Sequence, residues 1–265
     1  VSLRISVITP CYNAGPFLLP CLESVAAQGE VVSTHIVMDG GSTDGSVEVL
    51  EQFALSHPHV VWCSERDQGQ SDALNKALAL VQTPFFGWLN ADDCYFPKKL
   101  GLLVEAANAV RPGPVSIVYG DYKVIDSEGA LLWGRRQPSF NFWDCLHGYL
   151  TVQNCAAIFN TQLLRKAGSF DPTLRFCMDY DLILKLARQG DVIHVRDFIG
   201  TFRHHSGTKT STMADVCAAE TYALRARYTN SSRKVLLCQY WLSKARVAFR
   251  MAREGCLASR LGMEV

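Results

Sequence analysis

Through its first 110 residues the chain repeats one pattern: a short apolar, β-branched run, a polar loop, then a segment with helical spacing. The runs are residues 3–9, 34–38, 59–63 and 85–89, and helices are expected over 16–28, around 47–53, around 73–81 and over 98–110. Strands alternating with helices imply a parallel sheet with right-handed crossovers. Each polar loop follows a strand, so Asn13, Asp39, Asp67 and the pair Asp92 and Asp93 converge on the rim at the carboxyl ends of the strands, where open α/β sheets bind ligands. Turn aspartates scattered at random would not share a rim.

The stretch Trp88-Leu89-Asn90-Ala91-Asp92-Asp93 is the centre of that rim, because a buried strand there ends in two adjacent carboxylates. Hard divalent cations prefer carboxylate oxygen, which points to a metal–nucleotide site; an Asp-rich turn is the competing reading. The chain has no G-x-G-x-x-G and no G-x-x-x-x-G-K-[ST], so a dehydrogenase or a P-loop NTPase is not expected, and bound phosphates must be met by a metal.

After the break Arg111-Pro112-Gly113-Pro114 the pattern changes. Short strands over 115–119, 122–125 and 131–134, separated by turns, predict an antiparallel extension, and an acceptor pocket is expected in this half. Phe140, Phe142, Trp143, Leu146, His147 and Tyr149 form an aromatic patch that suits either a pocket lining or a core. A helix beginning near Asp179 or Asp181 needs one capping carboxylate and leaves the other free to act as a base. Strands over 192–195 and 198–202 then lead to Arg203, His205 and Lys209, a set suited to clamping an anion or a metal pyrophosphate.

These residues resemble the inverting glycosyltransferases of family 2. The resemblance is carried by Ser6-Val7-Ile8-Thr9-Pro10-Cys11-Tyr12-Asn13, Asp39-Gly40-Gly41-Ser42-Thr43-Asp44, Asp67-Gln68-Gly69, Asp72-Ala73-Leu74-Asn75, Leu89-Asn90-Ala91-Asp92-Asp93, Gly168-Ser169-Phe170-Asp171, Asp179-Tyr180-Asp181-Leu182 and Phe202-Arg203-His204-His205. It implies an α/β GT-A (Rossmann-like) mixed sheet with a parallel N-terminal half, an antiparallel extension and C-terminal helices. Residues 1–110 would be the nucleotide-binding half of a 1–211 domain, 111–211 its acceptor half, and 212–265 a helical extension. Asn90 stands where the D-x-D-type motif has its first Asp.

The resemblance further implies that Thr9, Pro10, Tyr12, Asn13, Asp39, Asp67, Asn75, Asn90, Asp92 and Arg203 meet the nucleotide-sugar. Asp93 and His205 would hold Mn²⁺ or Mg²⁺, Gln153 and Tyr180 would line the acceptor or sugar pocket, and Asp179 would be the general base, with Asp181 as runner-up. The implied reaction moves a sugar, with inversion, from a UDP- or dTDP-linked donor to a glycan or lipid-linked saccharide. A non-catalytic nucleotide-sugar or carbohydrate-binding module is the rival reading. A nucleotidylyltransferase is a second rival, although residues 11–15 carry no basic side chain.

Ten cysteines without metal-ligand spacing, and no stretch resembling a signal peptide or a membrane span, predict free thiols and a cytoplasmic protein. The net charge of +1 hides an asymmetry: residues 1–200 hold 15 Lys and Arg against 21 Asp and Glu, whereas residues 201–265 hold 11 against 4. No nucleic-acid partner is expected. Two helices are predicted over 215–228 and 231–260, the second with Leu237, Trp241, Ala245, Ala248 and Ala252 on one stripe and Arg246, Arg250, Arg253 and Arg260 towards the other side. That helix either packs on the domain with a solvated basic face or lies on an anionic membrane, which would make the protein peripheral at the inner face.

Overall fold

The computed structural model describes residues 3–207, 213–229 and 233–254. Its centre is a nine-stranded mixed sheet. The strands are β1 (Ile5–Cys11), β2 (Val32–Asp39), β3 (Val60–Ser64), β4 (Phe85–Trp88), β5 (Cys94–Tyr95), β6 (Val115–Ile125), β7 (Leu131–Arg135), β8 (Ala157–Asn160) and β9 (Asp191–Arg203). They run in the order β3-β2-β1-β4-β8-β6-β9-β5, with β7 beside β6. The first four pair in parallel, as the alternation predicts.

Side-chain alternation along each strand feeds two faces. On β1, Ile5 and Val7 face α1 (Leu18–Ala26) and α4 (Leu100–Asn108), while Ile8 faces α3 (Gln70–Leu80) and α7 (Met178–Ala187). The short α5 (Phe142–Leu146) and α6 (Thr161–Lys166) join the α3 and α7 side, and α2 (Ser46–Ser56) closes the other near β3. Half of the aromatic patch, Leu146, His147 and Tyr149, is buried, and Phe140 and Phe142 pack partly buried against the same core.

Two pairs of expected short strands are single long ones. Gly120 looks like a turn residue, yet it lies inside β6, where the register against β9 shifts at Asp121. A Cβ there would run into Ile199 and stand 2.8 Å from Asp197 O, so the glycine allows β9 to approach at a bulge. The extension is also not purely antiparallel: β7 and β8 pair antiparallel with β6, but β9 runs parallel to it. Segments separated by more than 60 residues pair there, and local turn signals carry no information about that.

The last elements among the described residues are α8 (Ala214–Thr229) and α9 (Arg233–Arg253). The expected burial of α9 is reversed. Leu236, Ser243 and Val247 are buried against the domain, whereas Leu237 and Trp241 are 59% and 66% exposed. Buried Asp144, in the first turn of α5, accounts for this orientation. Arg250 bonds its carboxylate, Arg246 lies 3.4 Å from it, and Ser243 Oγ donates to its carbonyl at 3.1 Å. An uncompensated carboxylate at that depth would be costly, so the arginine edge docks and the apolar stripe turns outward. No helix among the described residues is long and apolar enough to cross a membrane. The nine described cysteines are free.

Within the sheet, Thr9 Oγ1 and His35 Nε2 lie 2.9 Å apart, both fully buried. Burial, helped by the nearby His59, pushes the His35 imidazole down from 6.5 to about 3. The folded state therefore keeps His35 neutral while the unfolded chain takes up a proton below 6.5, and stability present above that value is lost as pH falls towards 3. In urea unfolding, the advantage of the wild type over His35→Gln is expected to shrink by about 1.4 kcal/mol per pH unit below 6.5. Parallel pH curves for the two proteins would contradict this account.

Candidate active site

Two groups of polar side chains occupy the rim at the carboxyl ends of β1, β2, β4 and β9, and a third lies at the start of α7. The first surrounds Asp39. Its Oδ2 accepts from Gly41 N (3.0 Å), Ser42 N (2.9 Å) and Ser64 Oγ (2.7 Å), and its Oδ1 accepts from Ser42 Oγ. Burial raises this carboxyl, but the hydrogen bonds from Ser42, Ser64 and Gly41 outweigh it and hold the group below its ordinary value. The loop after β1 is stitched to the loop after β2. Asn13 N donates to Ser42 Oγ (2.7 Å), Asn13 Oδ1 accepts from Thr43 N (2.9 Å) and Asp44 Oδ2 accepts from Gly15 N (2.7 Å).

Helix α2 is entered through Gly45 in left-handed conformation (φ +93°), and Asp44 Oδ1 accepts from Ser46 N in its first turn. Gly40 lies between Tyr12 and Asp67: a Cβ there would stand 2.7 Å from Asp67 Oδ2 and 3.3 Å from the Tyr12 ring. Gly40 thus lets exposed Tyr12 and Asp67 approach the same stretch of backbone, beside partly buried Pro10.

The second group is built on the opening between β4 and β9. Asp93 is 1% exposed; its Oδ1 accepts from Arg203 N (2.9 Å), and its Oδ2 has no hydrogen-bond partner. Burial and the adjacent Asp92 charge push its carboxyl well above the ordinary range, against the opposing pull of Arg203. Asp92, by contrast, is partly exposed and its Oδ2 lies 3.2 Å from His205 Nε2. Of the two carboxylates it is Asp92 that lies within 3.2 Å of His205, while Asp93 Oδ1 is held by the Arg203 backbone. Phe17 packs its ring 4.8 Å from the His205 ring and under the Arg203 guanidinium.

Asn90 accepts from Gln70 Nε2 and Trp88 Nε1, both at 2.9 Å. Gln70 was not singled out by the sequence, although it directly follows the Asp67-Gln68-Gly69 motif; Phe17 offered no sequence signal beyond helix periodicity. Among the described residues no group of three or more His, Cys, Asp or Glu side chains is placed to hold a metal ion.

The third group lies at the start of α7. Asp181 is 1% exposed and paired with Lys185 Nζ at 2.6 Å, so it is a structural ion pair. Asp179 is partly exposed, and its Oδ1 accepts from Tyr180 N at 2.7 Å. The α7 entrance is tied to the rim through α3: Ser71 Oγ donates to Leu174 O (3.1 Å), one residue from the Gln70 that holds Asn90.

Four expected ligand contacts are otherwise engaged. Thr9 is interior and bonded to His35. Asn75 Nδ2 donates to Phe170 O (2.9 Å) while its Oδ1 accepts from Phe170 N (3.0 Å), fastening α3 to the turn before α7. Tyr180 is buried with its hydroxyl donating to Leu146 O (2.7 Å). Arg203 is buried, with Nε donating to Asp92 O (2.9 Å) and Nη1 to Asp126 O (3.0 Å) and Ser127 O (3.2 Å). The anion clamp thus loses its arginine, and Lys209 lies outside the described residues. Gln153 remains partly exposed near the Tyr122 hydroxyl.

A parallel half-sheet with acidic loops on its carboxyl rim, extended by mixed strands, defines a GT-A glycosyltransferase fold. The glycosyl transferase family 2 model matches residues 6–166, and the chain belongs to that family. An uncharacterized glycosyltransferase of Rickettsia typhi is 27% identical over 217 residues, covering 78% of this chain and 66% of the relative. Escherichia coli chondroitin synthase is 25% identical over 194 residues, which is 72% of this chain and 27% of that protein. The chain thus spans only part of these relatives' length. Among solved structures, residues 1–349 of S. aureus TarS in complex with UDP-GlcNAc superpose with a TM-score of 0.67 at 16% identity, covering 94% of this chain and 74% of that one. The mannosyltransferase PcManGT of Pyrobaculum calidifontis, in complex with GDP-Man and Mn²⁺, gives 0.64 at 18% identity, covering 98% and 77%.

The three carbonyls on Arg203 make a direct prediction. Arg203→Lys should cost about 2–4 kcal/mol of unfolding free energy, because buried acceptors lose their donors. A pyrophosphate clamp would instead weaken nucleotide binding at unchanged stability, and chemical unfolding with parallel UDP titration distinguishes the two.

Proposed function

We propose that this chain transfers a sugar from a UDP- or dTDP-linked donor to a hydroxyl of a glycan or lipid-linked saccharide, with inversion. The observation that carries this reading is the partly exposed Asp92 and His205 pair, 3.2 Å apart, in the loops that follow β4 and β9. A carboxylate and an imidazole 3.2 Å apart suit Mn²⁺ or Mg²⁺, and two protein ligands fit an ion that takes its remaining ligands from water and a bound pyrophosphate. Such an ion supplies charge neutralisation for the departing diphosphate.

In this reading the base lies against Tyr12, Gly40 and Asp67, with Asp39 accepting from a nucleobase N–H and Asn13 and Pro10 shaping the edge. Asp179 takes the proton of the acceptor hydroxyl as its oxygen attacks the anomeric carbon; the bond from that carbon to the diphosphate breaks and the diphosphate leaves with the electron pair. A single base and a single displacement give inversion. Gln153 faces the acceptor side. The structures of TarS with UDP-GlcNAc and of PcManGT with GDP-Man and Mn²⁺ support the ligand class.

Thermal shift with a panel of nucleotide-sugars, with and without Mn²⁺, should show Mn²⁺-dependent stabilisation by a UDP or dTDP sugar that is lost in Asp92→Asn. Absence of a shift with every nucleotide-sugar would favour another function. Asp179→Asn should lower kcat by about 10²–10⁴-fold and leave UDP affinity within about twofold. If a folded Asp181→Asn protein shows that loss and Asp179→Asn does not, Asp179 is not the base.

A lipid-linked acceptor fits the surface of α9. Leu237, Trp241, Leu242 and Phe249 are exposed on its outward side, Phe249 by 74%, with Lys244 and Arg253 at the edges of the stripe. An exposed aromatic and aliphatic face rimmed by cations fits an anionic lipid surface, which supports reading the protein as peripheral to the membrane. The full chain should co-sediment with phosphatidylglycerol-containing vesicles, and Trp241→Glu with Phe249→Glu should weaken this at least about tenfold, each buried ring contributing roughly 1.5–3 kcal/mol. Equal pelleting of the two proteins would sink the membrane reading.

A further inference from the structure

Helix α8 lies beyond the segment that matches the family model, yet it supplies a carboxylate to the entrance of α7. Glu220 Oε1 accepts from Arg175 N (2.7 Å), and its Oε2 accepts from Phe176 N (3.0 Å) and Cys177 N (2.8 Å). Cys177 is the N-cap of α7, and no side chain of its own caps the helix. Three successive N–H groups aimed at one point form an anion nest, and at a helix entrance they add to the positive end of the helix dipole. Left without an acceptor, these donors would have to turn towards water and draw the α7 entrance with them.

We infer that Glu220 is a positioning residue: by filling this nest it fixes the backbone from which Asp179, two residues after Cys177, projects. The inference rests on the reading of Asp179 as the base. Two further contacts keep α8 in register with the same segment. Thr221 Oγ1 lies 3.3 Å from Cys177 Sγ, and Arg227 Nη1 lies 3.3 Å from Asp171 Oδ2. Leu224, fully buried in the core shared with α3 and α7, anchors the helix. The carboxylate therefore arrives from a fixed scaffold, and its geometry is transmitted to the first turn of α7.

Two measurements on the full chain test this, using Glu220→Ala, Glu220→Gln and the wild type. In amide hydrogen exchange, Glu220→Ala should speed exchange over residues 175–181 at least about tenfold while leaving residues 60–90 unchanged. In steady-state nucleotide release from the nucleotide-sugar selected by thermal shift, kcat should fall about 10–100-fold with donor KM within about twofold. Glu220→Gln keeps one carbonyl acceptor and should recover part of both losses. Unchanged exchange over 175–181 would overturn the nest, and faster exchange with unchanged kcat would overturn the positioning role. Loss of protection throughout the chain, with kcat and KM changing together, would show a merely structural residue. Failure of the base assignment reads out separately: Asp179→Asn would then retain its kcat, and Glu220 would cap α7 without positioning a base.

Discussion

The rim depends on one buried guanidinium. Arg203, the last residue of β9, donates to the carbonyls of Asp92, Asp126 and Ser127, while its own backbone N–H holds the Asp93 carboxylate. Those partners belong to the loop after β4 and the turn between β6 and β7, so a single side chain joins the parallel half of the sheet to its extension. An arginine can do this because its donors diverge in a rigid plane and it stays charged when buried. With the Asp92 carbonyl fixed inward and Asp93 fixed by the backbone, the Asp92 side chain is directed to His205, two residues beyond Arg203. The arrangement at the strand ends is thus a consequence of packing around Arg203, and the exposed carboxylate inherits its direction from the buried one.

This explains which parts of the site were legible in the sequence. The strands, the polar loops and their shared rim follow from hydrophobic periodicity, because that signal is local and repeated four times. The direction of a particular side chain is not local. Thr9 sits in the right motif, but alternation along β1 and the proximity of His35 turn it into the sheet. Asn75 and Tyr180 lie on helix faces that meet the turn at Phe170 and the end of α5, and those surfaces consume their hydrogen bonds. Adjacent Asp92 and Asp93 look equivalent as letters; only the distant Arg203 makes them different. Gly120 failed as a turn signal for the same reason, since the neighbour that requires it, Ile199, is far along the chain.

The C-terminal helices extend the point from side chains to whole elements. Periodicity identifies an apolar stripe on α9 but cannot say whether the stripe faces in or out. The deciding group is Asp144, about a hundred residues earlier, whose burial demands the arginine edge. Polar contacts of this kind attach the tail throughout: Glu254 accepts from Ser139 N and Oγ, and Glu220 fills the nest before α7. All of these contacts fall on α5, α7 and the segments leading into them. The loops around Asp39 and Asp92, by contrast, are held by bonds made within residues 3–207, and their geometry owes nothing to the tail.

The two parts of the candidate site therefore rest on different supports. The loops around Asp39 are held by stitching between segments that emerge from neighbouring parallel strands, so they are fixed once the sheet forms. The entrance to α7, where Asp179 lies, depends in addition on a carboxylate and an arginine delivered by α8. Directional, fully paired contacts specify one placement more sharply than apolar burial, which tolerates sliding. A tail attached in this way is a means of setting the α7 entrance without disturbing the loops around Asp39 and Asp92, and changes confined to α8 are expected to act on that entrance first.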